Sequence, residues 1–383
     1  MMKVEHFDLI ILGGGCAGLS LARELASQNV KQSVLVIEPR EVYEDDRSWC
    51  FWAQDRHALS SWVSQAWPSW CFNQQGQKSQ ARSCPGYAYQ YIRSKDFYRE
   101  SLAIITQSSV VKLGLGQTVR DLQSSSAGWQ VTTSQGQYLA DQVVDTRPPA
   151  AEVVAQSTLF QCFLGVEITL NEPIDHPDQV ALMTDMRLLN GDFCFTYILP
   201  HSDRHLLVEV TVFSSCPRSR KDLAPELDRL LAERGWSQNP VVRSEFAQLP
   251  MGLPDGEPYV PGQPLNAGTR GGALRASSGY GFQRIQRWAK QCARQYVATS
   301  ELLAPSAGRW LPLMDKLFLA VIKKYPHLTP ELFTKLLGGT QPERFIRFMD
   351  DRATLLDSLQ VVASLPKMPF IHTLVSLVFR RSS

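Results

Sequence analysis

Phe7-Asp8-Leu9-Ile10-Ile11-Leu12-Gly13-Gly14-Gly15-Cys16-Ala17-Gly18 opens the chain with a short apolar run that breaks into glycines. The run predicts a buried strand, the glycines a tight turn, and Leu19 to Ser27 a helix. Ser33 to Ile37 predicts a second buried strand, so the segment forms a parallel βαβ unit. In such a unit Gly13 permits the turn, Gly15 lets the backbone approach a pyrophosphate, and Gly18 lets helix and strand pack closely. The phosphates then lie against the free N–H groups of the helix amino end, at Cys16 and Ala17. Glu38 ends the second strand, about 20 residues beyond Gly18, where a carboxylate accepts from ribose hydroxyls. Strand, turn, helix, strand and acid in register predict a bound dinucleotide, which a glycine pattern alone does not.

At 383 residues the chain can hold two or three packed units, and 44% hydrophobic with 20% charged residues is the balance of a globular protein. Lys and Arg number 39 against 37 Asp and Glu, which lacks the basic field of a nucleic-acid binder. The eight cysteines are scattered without a Cys-x-x-Cys or a Cys/His cluster, so neither a metal site nor a disulfide framework is expected. A reducing cytoplasm fits, and the amino terminus lacks the regions of a signal peptide. Apolar runs fall well short of the ~20 residues of a membrane span. The stretch from Arg309 to Ser383 carries eleven Lys/Arg against six Asp/Glu and ends in Phe370 to Arg381. That stretch has two readings: a docked terminal helix with a basic last turn, or a peripheral contact with the inner face of the cell membrane.

Along the chain, residues 1–58 read as the first part of the dinucleotide-binding unit and 59–86 as a hairpin insertion around Gln74-Gln75-Gly76-Gln77. Residues 87–150 return to the first unit, with a helix over Tyr89 to Ile105, strands at Gly128 to Thr133 and Gln142 to Val144, and a boundary at Thr146 to Ala151. Residues 151–250 alternate in the manner of an antiparallel sheet, with one helix over Asp222 to Arg234 closed by Gly235. Residues 251–300 lead back to the first unit through a Pro/Gly loop and a helix from Phe282, and 301–383 read as helical.

A second glycine-rich turn, Gly268-Thr269-Arg270-Gly271-Gly272 through Ser277-Ser278-Gly279-Tyr280-Gly281-Phe282, precedes that helix directly. Flavoproteins of the glutathione-reductase type aim such a late helix terminus at the isoalloxazine, where its N–H groups stabilise negative charge on a reduced flavin. On this reading the cofactor is FAD and Gly268, Gly271, Gly279 and Tyr280 belong to its site; the alternative is a loop with an ordinary cap.

Five further segments, in this order, make the sequence resemble bacterial FAD-dependent lycopene cyclases of the β type: Arg47-Ser48-Trp49-Cys50-Phe51-Trp52, Tyr91 to Tyr98, Phe195-Thr196-Tyr197-Ile198-Leu199-Pro200, Leu207-Val208-Glu209-Val210-Thr211-Val212-Phe213-Ser214 and Ser278 to Phe282. Arg344 to Phe348 and Leu365 to Phe370 extend the resemblance into the tail. The resemblance implies a glutathione-reductase-type α/β fold: an FAD-binding Rossmann unit, an interleaved antiparallel β substrate domain and a helical carboxyl-terminal region. It implies a redox-neutral isomerisation of lycopene or a related linear carotenoid that requires reduced FAD, with NAD(P)H as the expected electron donor. A proton adds to the terminal double bond, the cation closes a ring, and another proton leaves.

Such a reaction needs an acid, cation stabilisation and a dry cavity. On an alternating strand Glu209 shares a face with Leu207, Thr211 and Phe213, so both faces are largely apolar and an unpaired carboxyl there holds its proton. By resemblance Glu209 is the catalytic acid; some relatives carry a second acidic residue where this chain has Val210, and the plain alternative is a glutamate on a sheet edge. Arg47 is assigned to the cofactor, and Trp49, Phe51, Trp52 and Tyr197 to the polyene, where π faces stabilise a cation; the aromatics serve equally as core. Asp185 has an uncertain orientation, and His201 and His205 read as surface residues of a turn. The rival functions are an FAD-dependent monooxygenase or reductase on the same fold, a cyclase of another isoprenoid, and a flavin-binding protein without catalysis. Ring type stays open.

Overall fold

The computed structural model describes residues 4–126, 128–306 and 310–381, the last four of these without side chains. Of the basic tail, Arg309 and the side chains of Arg380 and Arg381 therefore lie outside the described residues.

The chain opens with β1 (Glu5–Leu12), α1 (Cys16–Ser27) and β2 (Val34–Ile37), as the glycine turn dictates. Gly13 takes φ +97°, a conformation open to glycine. A Cβ on Gly18 would stand 1.9 Å from the Gly13 carbonyl oxygen, so only glycine lets α1 leave the strand so closely. There follow β3 (Ser48–Gln54), β4 (Gln65–Trp67), the hairpin of β5 (Ser69–Gln74) and β6 (Gln80–Ser83), β7 (Tyr87–Arg93) and α2 (Ser94–Ile105). The helix expected over Tyr89 to Ile105 thus begins at Ser94. Tyr87-Ala88-Tyr89-Gln90-Tyr91-Ile92-Arg93 is instead a strand, because β3 and β4 pair with it on either side and bury its aromatic rings.

The strands β8 (Val111–Gly114), β9 (Val119–Ser125), β10 (Gly128–Thr133) and β11 (Gln137–Asp145) complete the first sheet, in the order β8-β2-β1-β11-β10-β9. Its β8, β2, β1 and β11 run parallel, which is the Rossmann core. After the short α3 (Ala151–Val154) the chain makes β12 (Leu159–Thr169), β13 (Gln179–Leu189), β14 (Asp192–Pro200), β15 (His205–Ser214), α4 (Arg220–Glu233) and β16 (Val241–Met251). Helix α4 starts at a capping box of Ser219 and Asp222 and is followed by Gly235 at φ +70°. The second sheet has the order β16-β12-β15-β14-β13-β5-β6 and is antiparallel except where β5 joins β13.

A two-residue β17 (Leu265–Asn266) rejoins β11, and α5 (Phe282–Thr299) packs on α1. The rest is helical: α6 (Trp310–Lys324), α7 (Thr329–Gly339), α8 (Pro342–Met349), α9 (Leu355–Ser364) and α10 (Lys367–Arg381). Buried Arg275 binds these helices to the second glycine turn, pairing with Asp315 at 3.1 Å and lying over the Phe348 ring at 4.2 Å. The molecule is a mixed α/β fold with a Rossmann unit, an antiparallel sheet and a helical carboxyl-terminal region.

Candidate functional site

One cavity of about 1190 Å³ runs from the first glycine turn to the carboxyl-terminal helices. That exceeds the ~300–1,000 Å³ of an ordinary small-molecule pocket, so there is room for more than one small ligand. Gly13, Gly15, Cys16, Ala17, Glu38 and Arg47 line its polar end, together with Gly268, Gly279 and Tyr280. The two glycine turns, some 250 residues apart in sequence, meet there: a Cβ on Gly268 would touch that of Ala17 at 3.1 Å.

The donors at this end are built by backbone. Gly15 is the N-cap of α1 and makes no side-chain cap hydrogen bond, so it leaves the first-turn N–H groups open to an anion. A Cβ placed on Gly15 meets nothing within 4 Å, since the position looks into the cavity. Buried Glu38 accepts from the Gly14 N–H at 2.6 Å and from Arg40 Nε at 2.7 Å, which fixes the carboxylate at the edge of the cavity. Gly281 likewise caps α5 without a side-chain hydrogen bond, and no acidic residue occupies that helix's first turn. Both helix termini are thus positive ends facing one space. Gly18 and Gly271 stand back from the cavity. Gly271 is a close-packing glycine, whose Cβ would lie 2.4 Å from the Asn266 carbonyl oxygen.

The other end is apolar and aromatic. Trp49, Trp52, Tyr89, Tyr197, Phe195 and Phe213 line it, and α6, α7 and α8 add Phe318, Phe333, Phe345 and Phe348. Phe51 does not line the cavity: alternation along β3 turns it to the opposite side from Cys50 and Trp52, where it stacks on Phe282 at 5.2 Å. Trp49 leans on the same ring at 5.5 Å while still reaching the cavity. Tyr89 carries a buried phenol cluster, with its hydroxyl 3.0 Å from that of Tyr197 and 2.7 Å from that of Tyr280. Burial pushes all three phenols up, so they remain neutral.

Glu209 sits between the two ends. It is buried on β15, between Leu207 and Thr211, and faces the cavity. Its strand partners are Tyr197 on β14 and Gly165 on β12, and Gly165 in turn lies opposite Glu245 on β16. Desolvation, and next the charge and hydrogen bond of Glu245, raise the Glu209 pKa well above the usual carboxylate range. Glu245, Gly165, Arg243 and Ser48 were not singled out in the sequence. The signal for Glu245 was faint, an acid inside the short run Ser244-Glu245-Phe246 of a strand whose neighbours only the fold reveals.

Asp185 points away from the cavity. Bulges in β13 put it at φ 51°, and it faces Arg234 at 3.6 Å, while Leu182 and Met183 take the cavity side. His201 is largely covered rather than a surface residue, while His205 stays a third exposed at the turn; each lies 3.6 Å from fully buried Glu167. Burial depresses His201 to about 4, so it is neutral near pH 7. No group of residues that could hold a metal ion occurs among the described residues.

Comparison with known proteins agrees with this architecture. The model of a family described as lycopene cyclase protein matches residues 8–375. The lycopene beta-cyclase of Pantoea ananas is 25% identical over 397 aligned residues, spanning 97% of this chain and 98% of that protein. That of Pseudescherichia vulneris is 28% identical across 71% of this chain and 70% of its own. Among solved structures, a geranylgeranyl bacteriochlorophyll reductase-like protein from Thermoplasma acidophilum is similar with a TM-score of 0.61 at 13% identity, over 97% of this chain and 99% of that one. A flavin-dependent brominase is similar with a TM-score of 0.59, also at 13% identity, over 99% of this chain and all of its own. At such identities the two structures speak for the fold alone.

Proposed function

The chain belongs to the lycopene cyclase protein family, and from that premise we propose that it cyclises the acyclic ψ end group of lycopene or a related linear carotenoid to a β-type ring, with reduced FAD bound. The observation that carries this reading is one cavity with a glycine-built anion cradle at one end, an aromatic tunnel at the other and the buried carboxyl of Glu209 between them, where desolvation favours its protonated form.

The FAD pyrophosphate fits the amino end of α1 at Gly13, Gly15, Cys16 and Ala17, where Gly15 leaves the space open, and Glu38 and Arg47 flank the nucleoside side. Gly268, Gly279 and Tyr280, with the amino end of α5, face the flavin side. Reduced flavin held by these residues would supply negative charge that favours a cation, and NAD(P)H is the proposed reductant. The protein's own groups do the rest. Glu209 gives its proton to the terminal double bond. The faces of Trp52 and Tyr197 attract the cation, and the packed aromatic walls keep out water that would quench it. The proton lost after ring closure returns to a carboxylate, and no electron is consumed.

Anaerobic incubation with reduced FAD and lycopene should give a cyclic product of unchanged mass, resolved by chromatography. A product heavier by one oxygen or by two hydrogens would move the assignment to a monooxygenase or a reductase of the same fold.

A membrane surface is the proposed source of so apolar a substrate. Val362 of α9, Leu365 and Pro366 between the helices, and Phe370 and Ile371 of α10 line one end of the cavity, and outside it Leu355, Leu356, Leu359, Met368, Leu374 and Val375 are exposed. No helix among the described residues is long and apolar enough to cross a membrane, so the contact proposed is peripheral. Co-sedimentation with anionic liposomes is expected to weaken with salt and on replacing Leu356 and Leu359 by Asp, with the thermal midpoint unchanged because both side chains are exposed. Full-length protein that stays in the supernatant at low salt would make this end of the molecule purely structural.

A further inference from the structure

Glu209 has a partner that its own strand does not reveal. Glu209 and Glu245 are two strands apart, and β12 runs between them with Gly165 opposite both. Adjacent strands are about 4.8 Å apart, so the two backbones are held at roughly twice that, and the side chains meet only because the residue between them has none. A Cβ on Gly165 would stand 2.4 Å from Glu209 Cγ. Both carboxyl groups line the cavity, and both are buried.

Their surroundings are unequal. Glu245 Oε2 accepts from Ser48 Oγ at 2.8 Å and pairs with Arg243 at 2.9 Å, and Arg243 also donates to Ser48 Oγ at 3.1 Å. Glu209 makes no ion pair among the described residues. From the other packed elements, β14 and β7 present Tyr197, Tyr89 and Tyr91, and β3 presents Cys50, all neutral groups whose protons burial retains. From β12 comes Glu167, which takes a share of the Arg243 charge at 2.9 Å. A second carboxyl group in contact in a desolvated place opposes ionisation of the first, and the charge and hydrogen bond of Glu245 raise the Glu209 pKa. The ion pair and the hydroxyl stand on Glu245 and Glu209 makes neither contact among the described residues, so Glu209 is the carboxyl that keeps its proton.

We propose that Glu245 is a positioning residue for the proton donor: its carboxylate, anchored by Arg243 and Ser48, reaches across Gly165 to keep Glu209 protonated and aimed at the cavity. The inference rests on reading Glu209 as the acid. In the reaction the Glu209 O–H bond breaks as a C–H bond forms at the terminal alkene, leaving two carboxylates facing a carbocation. After ring closure a C–H bond next to the cation breaks, its electron pair becomes the ring double bond, and the pair regains one proton. The doubled negative charge is present only while the cation exists, so it favours the charged intermediate over the neutral ground state.

The test is the pH dependence of cyclisation by the FAD-loaded enzyme, read beside the infrared carbonyl stretch of the protonated acid, which is identified by its loss in Glu209→Gln. Glu245→Gln keeps shape but removes the charge that opposes ionisation of Glu209, so the alkaline limb of the rate and the titration of the band should both move to lower pH, by about one unit or more. Glu245→Asp keeps the charge one methylene further away and should fall between wild type and the Gln variant. A merely structural role predicts the reverse order, with isosteric Gln the milder change. If Glu209→Gln stays active, the donor assignment itself fails. If Glu209→Gln is inactive while Glu245→Gln keeps the wild-type limb and band, only the present inference is overturned. Should Glu245→Gln not fold, Glu245→Asp decides alone, and an unmoved alkaline limb in that variant refutes the proposal.

Discussion

Glu209→Gln is expected to lower the rate of cyclisation by roughly two to four orders of magnitude, the ordinary worth of a positioned general acid, with the fold and FAD binding intact. The amide fills the same volume between Tyr197 and Gly165 but has no proton of comparable acidity to give. Reducing the flavin beforehand should not restore turnover. A second measurement on the same variant reads the proton directly. Glu209 holds its proton in the folded chain to a higher pH than in the unfolded one. Its contribution to stability is therefore complete below the usual carboxyl range and is lost as pH rises from there towards the folded-state value, at about 1.4 kcal/mol per unit. The Gln variant has no such loss, so in thermal melts its stability should gain on wild type as pH rises. Near-normal turnover of Glu209→Gln with reduced FAD would mean that the proton comes from elsewhere, and the family assignment would survive without this mechanism.

Where the chemistry is carried by local backbone, the sequence was readable. The turn from Gly13 to Gly18 demands a left-handed residue, an open face and a close approach within six positions, and each demand excludes side chains. Alternation along β15 likewise placed Glu209 on an apolar face before any neighbour was known. What stayed hidden depends on neighbours far away in sequence. Tyr87 to Arg93 forms a strand because β3 and β4 flank it, which no periodicity in the segment records. Phe51 has the same composition signal as Trp52, yet one step of alternation turns it from the cavity onto Phe282, the ring on which Trp49 of the same face also leans. Glu245 became visible only when three strands were aligned with a glycine in the middle, a register that pairing between distant segments decides. His201 stands in a polar turn by sequence but is covered by Trp67 and Tyr91 in space.

Gly15→Leu should abolish retention of FAD while leaving the flavin-free protein as stable as wild type. The two effects separate because Gly15 and Gly18 are required for different reasons, although they belong to one motif. A Cβ on Gly15 meets nothing within 4 Å and projects into the cavity at the amino end of α1, so the folded chain should tolerate a side chain there and a pyrophosphate should not. A methyl group on Gly18 would stand 1.9 Å from the Gly13 carbonyl oxygen, a backbone atom that cannot turn aside, so Gly18→Ala must push α1 off β1. Forced overpacking of that kind costs typically ~1–3 kcal/mol, and Gly18→Ala should melt earlier even without flavin. Flavin absorbance after desalting and a circular-dichroism melt of the flavin-free protein give the two readings for each variant. Unchanged FAD affinity in Gly15→Leu would place the cofactor's phosphates away from this turn, and with them the orientation of everything proposed along the cavity.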